Sequence, residues 1–248
     1  MGGNIGLTEA QESTLNGLLE RDKPFTDNME KQYNELLYIH DNPELPQGAK
    51  TYCQQWLTEQ LYNRRNEFYS KACDKGNIVE DDSIAYVGRV LDLFLTKNEE
   101  YKEDDYKTGT CDVDTGDLII DVKNPESCFT FPLYDIDIPT KDYYYQLQGY
   151  MSLWNRQQAK LIYTLMDTPD KLLISEANFL ARRLECDFQE AFDIVKKQNT
   201  YSHLTDELRY KEFNIERDDN VIQEIEERVK MCQKYVNELQ SKITIGEF

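Results

Sequence analysis

Four aspartates and one lysine are concentrated in a short segment that also carries strongly β-forming apolar residues. Residues 109–124 read GTCDVDTGDLIIDVKN. Between residues 107 and 136 the apolar period is two, which predicts a hairpin that turns at Thr115 and Gly116. Because side chains alternate between the faces of a strand, one face of this hairpin collects three carboxylates and one amine. These are Asp112, Asp114, Asp121 and Lys123.

This face has the residue types for metal chemistry. In the predicted register Asp112 and Asp121 are diagonal neighbours, roughly 7–8 Å apart, and like charges that close repel unless a cation lies between them. Mg²⁺ prefers oxygen ligands, often one or two carboxylates with water and substrate phosphate, and Lys123 could orient or activate that water. A hairpin rim that faces water would show the same alternation, and Asp-x-Lys triplets occur by chance in most proteins. The segment alone therefore leaves both interpretations open.

The composition restricts the other chemistry that is available. The chain has 248 residues, of which 40% are hydrophobic, a share typical of globular proteins. Its two histidines, His40 and His203, are isolated, and its six cysteines show no C-x-x-C spacing. A zinc site or a disulfide framework is therefore disfavoured. Any catalysis must depend mostly on carboxylates, lysine and metal.

The formal net charge of −19 disfavours nucleic acid as a default partner, because phosphate binding relies on Lys and Arg. Divalent ions on clustered carboxylates, or a local basic groove, can reverse the sign locally. Short basic runs could line a DNA path, although such runs are more often solvated helix faces. They comprise Arg64, Arg65, Lys71, Lys75, Arg182, Arg183, Lys196 and Lys197, and the tyrosines at 143–145 could stack on bases.

The hydropathy pattern predicts a soluble cytoplasmic protein with no membrane partner. No apolar run approaches the length of a membrane span. The N-terminal sequence MGGNIGLTEAQEST has no basic region followed by an apolar one, so it does not resemble a secretory signal.

The elements that must position these residues follow from the apolar periods. Helices are predicted at 7–45 (two helices, the first opened by a Thr8/Gln11 capping box), 49–72, 78–95, 140–154, within 169–197 and at 218–242. The helix at 49–72 has Tyr52, Trp56, Leu57 and Leu61 as its predicted apolar face. Strands are predicted at 159–166 and 210–215, besides the hairpin. This order of elements predicts an α/β fold with additional N-terminal helices.

An ordered set of motifs resembles the PD-(D/E)XK nuclease superfamily. The motifs are Gly76-x-x-x-Glu80 at a helix start, Gly109-x-x-Asp112, Asp121-Val122-Lys123, and Gln146-x-x-x-Tyr150 on the following helix. Within that superfamily the chain is most similar to the phage-type exonucleases related to lambda exonuclease and the YqaJ family. The resemblance covers roughly residues 45–166, and residues 213–239 are more weakly similar to the closing strand and helix of that family.

The resemblance implies a fold and a set of residue roles. The fold would be a restriction-endonuclease-like core, with a mixed central β-sheet flanked by helices and a long C-terminal helix. Residues 1–44 would form an N-terminal helical extension and residues 45–248 the nuclease domain. Asp112 would bridge or ligate the metals, Asp121 and the Val122 carbonyl would complete the first metal site, and Glu80 would add an acidic ligand. Lys123 would contact or activate the attacking water. Gln146 would brace the lysine or the substrate phosphate, and Tyr150 would orient the groups around them. Asp114 or Asp117 could exchange roles with Asp112, and Asp81 and Asp82 compete with Glu80 for its assignment.

The implied activity is hydrolysis of DNA phosphodiester bonds with Mg²⁺, for which Mn²⁺ could substitute. The family would act on duplex ends in recombination or DNA processing, in the host cytoplasm if the protein is phage-encoded. It would pass its product strand to a single-strand annealing protein, and a homo-oligomer would suit processive digestion. The alternatives are a site-specific endonuclease of the same superfamily and a non-catalytic acidic protein, such as a DNA mimic or an interaction module. A buried cluster of Glu80, Asp112, Asp121 and Lys123 would argue against the non-catalytic alternative.

Overall fold

The computed structural model describes residues 6–67 and 70–245 of the chain. The described residues form two compact units, which are considered separately below. One comprises residues 6–66 with residues 224–245, and the other comprises residue 67 and residues 70–223.

The first unit is helical. It contains α1 (Glu9–Leu19), α2 (Asp27–Asp41), α3 (Gln47–Tyr62) and residues 224–245 of α8 (Asp219–Ile245). The predicted capping box is confirmed, because Thr8 Oγ1 accepts the Gln11 N–H while Gln11 Oε1 accepts the Thr8 N–H. The apolar face predicted for α3 is wrong in part. Its buried stripe is Ala49, Cys53 and Leu57, spaced by four residues, whereas Tyr52, Trp56 and Leu61 are exposed.

The second unit is built around a four-stranded mixed sheet. Its strands lie in the order β3 (Val113–Asp114), β4 (Leu118–Lys123), β5 (Gln158–Thr164) and β6 (Tyr210–Glu216). The central pair β4–β5 is parallel and the two outer pairs are antiparallel. A separate small hairpin, β1 (Lys102–Glu103) with β2 (Thr108–Gly109), precedes the sheet. With its flanking helices and the long α8, this architecture confirms the predicted α/β class with a central mixed sheet.

Helices cover both faces of β4. On one face, Ile84 and Val87 of α4 (Lys71–Leu91) pack with Ile120 and Val122. On the other face, residues of α5 (Lys141–Trp154) pack with Ile119. A strand that is buried on both sides needs apolar residues at nearly every position, which accounts for the sequence LIIDVK. Asp121 and Lys123 are the two charged residues within this strand, and Asp121 is only 1% exposed.

Helix α4 begins earlier than the sequence predicted. Ser70 is its N-cap and accepts a hydrogen bond from the Cys73 N–H at 3.1 Å. Gly76 consequently lies inside the helix and not at its start, which corrects the predicted boundary. An interior glycine costs roughly 0.5–1 kcal/mol relative to alanine, and the buried face of α4 offsets that cost.

The remaining elements complete the second unit. Helices α6 (Asp170–Leu184) and α7 (Phe188–Gln198) share a small apolar cluster of Leu173, Ala177 and Val195. The predicted helix at 140–154 and the predicted strands at 159–166 and 210–215 agree with α5, β5 and β6. Throughout the described ranges, every helix is too short or too polar to cross a lipid bilayer.

The hairpin turns one residue later than predicted. Val113 pairs with Ile120, and the Thr115 N–H donates to the Leu118 carbonyl at 3.0 Å. The turn residues are therefore Gly116, with φ of +94°, and Asp117. If the register continues by one position, Asp112 lies directly opposite Asp121 instead of diagonal to it. Moving the turn by one residue moves each pairing partner along the opposite strand by two residues. Side chains two residues apart lie on the same face, so the predicted division of the faces is unaffected.

Candidate active site

Two carboxylates lie at the centre of the site. Asp121 projects from β4, and Asp112 precedes β3 and accepts the Val122 N–H on Oδ2 at 2.7 Å. Asp121 is almost completely buried, at 1% exposure. Burial, reinforced by the nearby Asp121 charge, raises the pKa of Asp112 to about 7, although the Val122 N–H and Lys123 act in the opposite direction. The pair is therefore short of positive charge.

Lys123 supplies part of that charge. Its Nζ makes an ion pair with Asp121 Oδ2 at 2.7 Å and donates to Gln146 Oε1 at 3.4 Å. The ammonium also lies 4.8 Å from the centre of the Tyr143 ring. Burial alone would lower the pKa of Lys123, but Asp121 and Asp112 outweigh it, so the pKa is raised. Lys123 is therefore a fixed positive charge and is poorly suited to act as a base.

Gln146 and Tyr150 lie one turn apart on α5 and continue the chain of contacts. Gln146 Nε2 donates to the Tyr150 hydroxyl at 3.1 Å while its Oε1 faces Lys123. The Tyr150 ring passes so close to Gly109 that a Cβ there would lie 2.7 Å from Tyr150 Cε1. Gly109 thus leaves the space that Tyr150 occupies, which gives a physical reason for the glycine of the Gly109-x-x-Asp112 motif.

Glu80 reaches the site from α4. Its Oε2 is 2.7 Å from the Nζ of Lys97, a residue that no sequence motif indicated. A run of hydrogen bonds ties the Glu80 backbone to the ends of two strands. Thr164 Oγ1 donates to Asn124 Oδ1 at 2.7 Å, Asn124 Nδ2 to Ser83 Oγ at 3.1 Å, and Ser83 Oγ to the Glu80 carbonyl at 2.7 Å. These contacts fix α4 against β4 and β5.

These residues surround a cleft of about 580 Å³. Its lining comprises Ala72, Cys73, Gly76, Asn77, Glu80, Asp112, Val122, Lys123, Asn124, Pro125, Glu126, Thr130, Tyr143 and Tyr163. Asp121, Gln146 and Tyr150 are joined to this lining by the contacts above. The structure therefore brings together all seven residues that the sequence indicated. Their chemical roles stay predictions.

The competing acidic residues point elsewhere. Asp114 makes a two-pronged ion pair with Arg156, with both N···O distances at 2.8 Å, and Arg156 holds the pKa of Asp114 below its usual value. Asp117 is exposed in the turn, and Asp81 and Asp82 are exposed on α4. None of these four belongs to the cleft lining found among the described residues.

The predicted basic path is partly wrong. Lys75 is fully buried and donates to the Glu126 carbonyl at 3.1 Å, so it cannot contact DNA. Lys71 pairs with Glu176 and Lys196 with Asp170, each at 2.8 Å. Arg182 and Arg183 are exposed in the last turn of α6. Tyr143 contributes to the cleft wall.

The donor set fits a hard divalent cation. Within residues 6–67 and 70–245, no three His, Cys, Asp or Glu side chains already converge as a metal centre. Two adjacent carboxylates, one almost completely buried and the other with a raised pKa, nevertheless form an arrangement that a cation would stabilise.

Comparison with known proteins shows solved structures with a similar fold. No protein-family model matches the chain, and no curated protein matches it either. A phage-related exonuclease from Haemophilus somnus 129PT is 26% identical, with 93% of this chain and 94% of that chain aligned and a TM-score of 0.66. The alkaline exonuclease LHK-Exo from Laribacter hongkongensis is 17% identical, with 79% and 84% aligned and a TM-score of 0.54. The structure of LHK-Exo in complex with dAMP is 15% identical, with 94% of this chain and 91% of that chain aligned and a TM-score of 0.55. At these identities the two LHK-Exo structures establish only that the fold is similar. The resemblance inferred from the sequence is confirmed at the level of the fold: this chain is similar over nearly its whole length to a phage-related exonuclease, and it shares its fold with an alkaline exonuclease.

Proposed function

We propose that the protein is a metal-dependent deoxyribonuclease, specifically an exonuclease that degrades duplex DNA from its ends. The observation that carries this proposal is the ion pair of buried Asp121 with Lys123, beside Asp112 at an open cleft, on the fold of a phage-related exonuclease. Burying two adjacent carboxylates with one ammonium is costly unless a further cation binds them. A purely non-catalytic acidic protein would have no need of it.

The cation would be held by Asp112, Asp121 and the Val122 carbonyl, with Glu80 as a further ligand. Mg²⁺ suits this oxygen donor set, and Mn²⁺ should substitute for it. When bound, the ion supplies an acidified water and stabilises negative charge on the phosphate. The Asp112 side chain is already oriented by the Val122 N–H, so its contribution is preorganised.

Lys123 would hold the attacking water or a phosphate oxygen by donating hydrogen bonds, since it keeps its proton. Gln146 accepts from the ammonium and is itself fixed by donating to the Tyr150 hydroxyl, so the two α5 residues would keep Lys123 aimed at the cleft. A single-strand annealing partner and a homo-oligomer are predictions from the family resemblance alone.

The reaction is tested with linear duplex DNA labelled at its ends. We expect Mg²⁺ or Mn²⁺ to support release of labelled nucleotides, and a chelator to abolish it. A covalently closed plasmid should survive the same incubation. Cleavage of the closed plasmid at similar rates would instead show a site-specific or general endonuclease. Failure to degrade either substrate would contradict the proposal.

Replacing Lys123 tests the site itself. We expect Lys123→Ala and Asp121→Asn to lower the rate by about a hundredfold or more, the usual scale for losing one preorganised charge or proton-handling group. Lys160→Ala is the matched control, because Lys160 is 21% exposed against 23% for Lys123 and pairs with Glu212 at 2.8 Å on the same sheet. Circular dichroism would verify folding. Full activity in folded Lys123→Ala would remove the proposed site.

A further inference from the structure

Lys97 lies against the acidic cluster in a defined position. Its Nζ is 2.7 Å from Glu80 Oε2 and 3.9 Å from Asp81 Oδ1. Its side chain is 42% exposed, so ions from solvent can reach the pair. Lys97 follows α4 and precedes β1, in a segment whose sequence predicted no element and no site.

The position of Lys97 is set by its neighbour Asn98. The Asn98 N–H donates to the Asp112 carbonyl at 2.7 Å, and its Nδ2 donates to the Cys111 carbonyl at 3.1 Å. The backbone that carries Lys97 is therefore tied to the same segment that carries Asp112. An ordinary exposed ion pair lacks such an anchor and is easily exchanged for water. Here the backbone next to Lys97 is bonded to the segment that carries Asp112, while the Lys97 ammonium contacts Glu80 on α4.

The charges of the cluster are not balanced without a further cation. Lys123 is paired with Asp121 and Lys97 with Glu80, which leaves Asp112 with only the Val122 N–H as a direct partner among the described contacts. The Lys97 ammonium occupies Oε2 of Glu80, so a divalent cation that uses Asp112 and Asp121 would compete with Lys97 for that oxygen. Lys97 and the cation are thus alternatives at one carboxylate oxygen.

We propose that Lys97 is an exchangeable counter-ion, which holds Glu80 in the metal-free protein and releases it when a divalent cation binds. This inference rests on the proposed metal-dependent function and adds a residue that sets the metal concentration at which the site fills. Because Lys97 competes with the ion, removing its charge should tighten metal binding, whereas loss of a supporting residue would weaken it.

Calorimetric titration of the full chain with Mn²⁺ alone tests this competition. We expect Lys97→Met and Lys97→Gln to bind the ion more tightly than the unsubstituted protein, by up to about fivefold, which is the range that an exposed ion pair can supply. Lys97→Arg retains the charge and should bind like the unsubstituted protein. Lys160→Met removes an ion pair elsewhere on the sheet and should leave affinity unchanged.

A second substitution separates competition from a general charge effect. In a Glu80→Gln background, Lys97→Met should no longer alter Mn²⁺ affinity, because the contested carboxylate is absent. Unchanged or weaker binding in Lys97→Met would overturn the inference, as would an equal gain in the Glu80→Gln background. If the unsubstituted protein takes up no ion, the proposed function fails together with the inference. If the unsubstituted protein binds Mn²⁺ and degrades DNA, but Lys97→Met binds Mn²⁺ with the same affinity, the inference is overturned and the proposed function is retained.

Discussion

Three aspartates on one face of the hairpin have three different environments. Asp121 is buried beside Lys123, Asp112 accepts the Val122 N–H, and Asp114 is held by Arg156. Burial raises the pKa of Asp112, whereas Arg156 lowers that of Asp114. The alternation of the sequence placed all three on one face but could not distinguish them, because their partners come from β4 and from beyond α5.

The raised pKa of Asp112 predicts a pH-dependent stability of the metal-free protein. The ordinary pKa of an aspartate is 3.8, whereas burial in the fold raises the pKa of Asp112 to about 7. Between those values the folded state binds the proton more tightly than the unfolded state does. The stability contributed by this group is therefore fully present below the lower value and is lost as the pH rises to the higher one.

Asp112→Asn isolates this effect, because the amide oxygen can still accept the Val122 N–H. We expect the free energy of unfolding in a chelator to fall more steeply for the unsubstituted protein than for Asp112→Asn between about pH 5 and about pH 7. Urea unfolding at several pH values measures the difference. Parallel curves for the two proteins would contradict the assigned pKa.

Residues that contact the nuclease-like motif residues but lie outside those motifs could not have been predicted from the sequence. Lys97 meets Glu80 only because Asn98 anchors its segment to Cys111 and Asp112. Asn124 and Ser83 are similarly joined by tertiary structure, since 41 residues separate them along the chain. Such contacts leave no periodic signal in a single sequence.

At the scale of elements, periodicity worked where an element buries a regular face. Helix α5 and strands β5 and β6 have regular apolar spacing, and their ends were predicted to within two residues. The β1–β2 hairpin was not predicted, because its two-residue strands lie in a polar stretch with no alternation. The start of helix α4 was predicted too late because Gly76 was interpreted as the beginning of the helix, whereas packing of Ile84 and Val87 against the sheet supports a helix that runs through it.

The contact between β2 and α5 predicts the effect of Gly109→Ala. The added methyl group would lie 2.7 Å from Tyr150 Cε1, closer than such atoms can approach, so the ring must move. We expect a loss of about 1–3 kcal/mol in stability. Nuclease activity should fall as well, since Tyr150 holds Gln146 and through it Lys123. Thermal unfolding and the end-labelled DNA assay measure the two effects.

Gly17→Ala in α1 is the matched control for that substitution. Nothing lies within 4 Å of the position that its Cβ would occupy, so alanine should be neutral or stabilising by up to about 1 kcal/mol. Wild-type stability and activity in Gly109→Ala would show that Tyr150 accommodates the methyl group freely.

At the scale of the whole molecule, the charge of −19 opposes the approach of DNA. Lys71, Lys97 and Lys123 near the cleft are all paired with acids, so they do little to reverse the long-range field. The range of that repulsion shrinks from about 30 Å at 0.01 M salt to about 10 Å at 0.1 M.

This balance predicts an unusual salt dependence. With the metal held saturating, kcat/KM for linear duplex should rise as KCl increases from about 10 mM to about 100 mM, because screening weakens the repulsion. At higher salt it should fall as direct phosphate contacts are screened. Initial rates across the titration measure this. A steady fall from the lowest salt would show that a local positive field dominates instead.

The cleft wall also carries a reactive group of practical use. Cys73, in the first turn of α4, is exposed and borders the same space as Glu80. Cys128 is the other exposed thiol, and Cys53 and Cys111 are buried. Cys186 and Cys232 are partly exposed. Once Cys128, Cys186 and Cys232 are replaced by serine, a maleimide dye should attach preferentially at Cys73, and its emission would then report directly when a nucleotide chain enters or leaves.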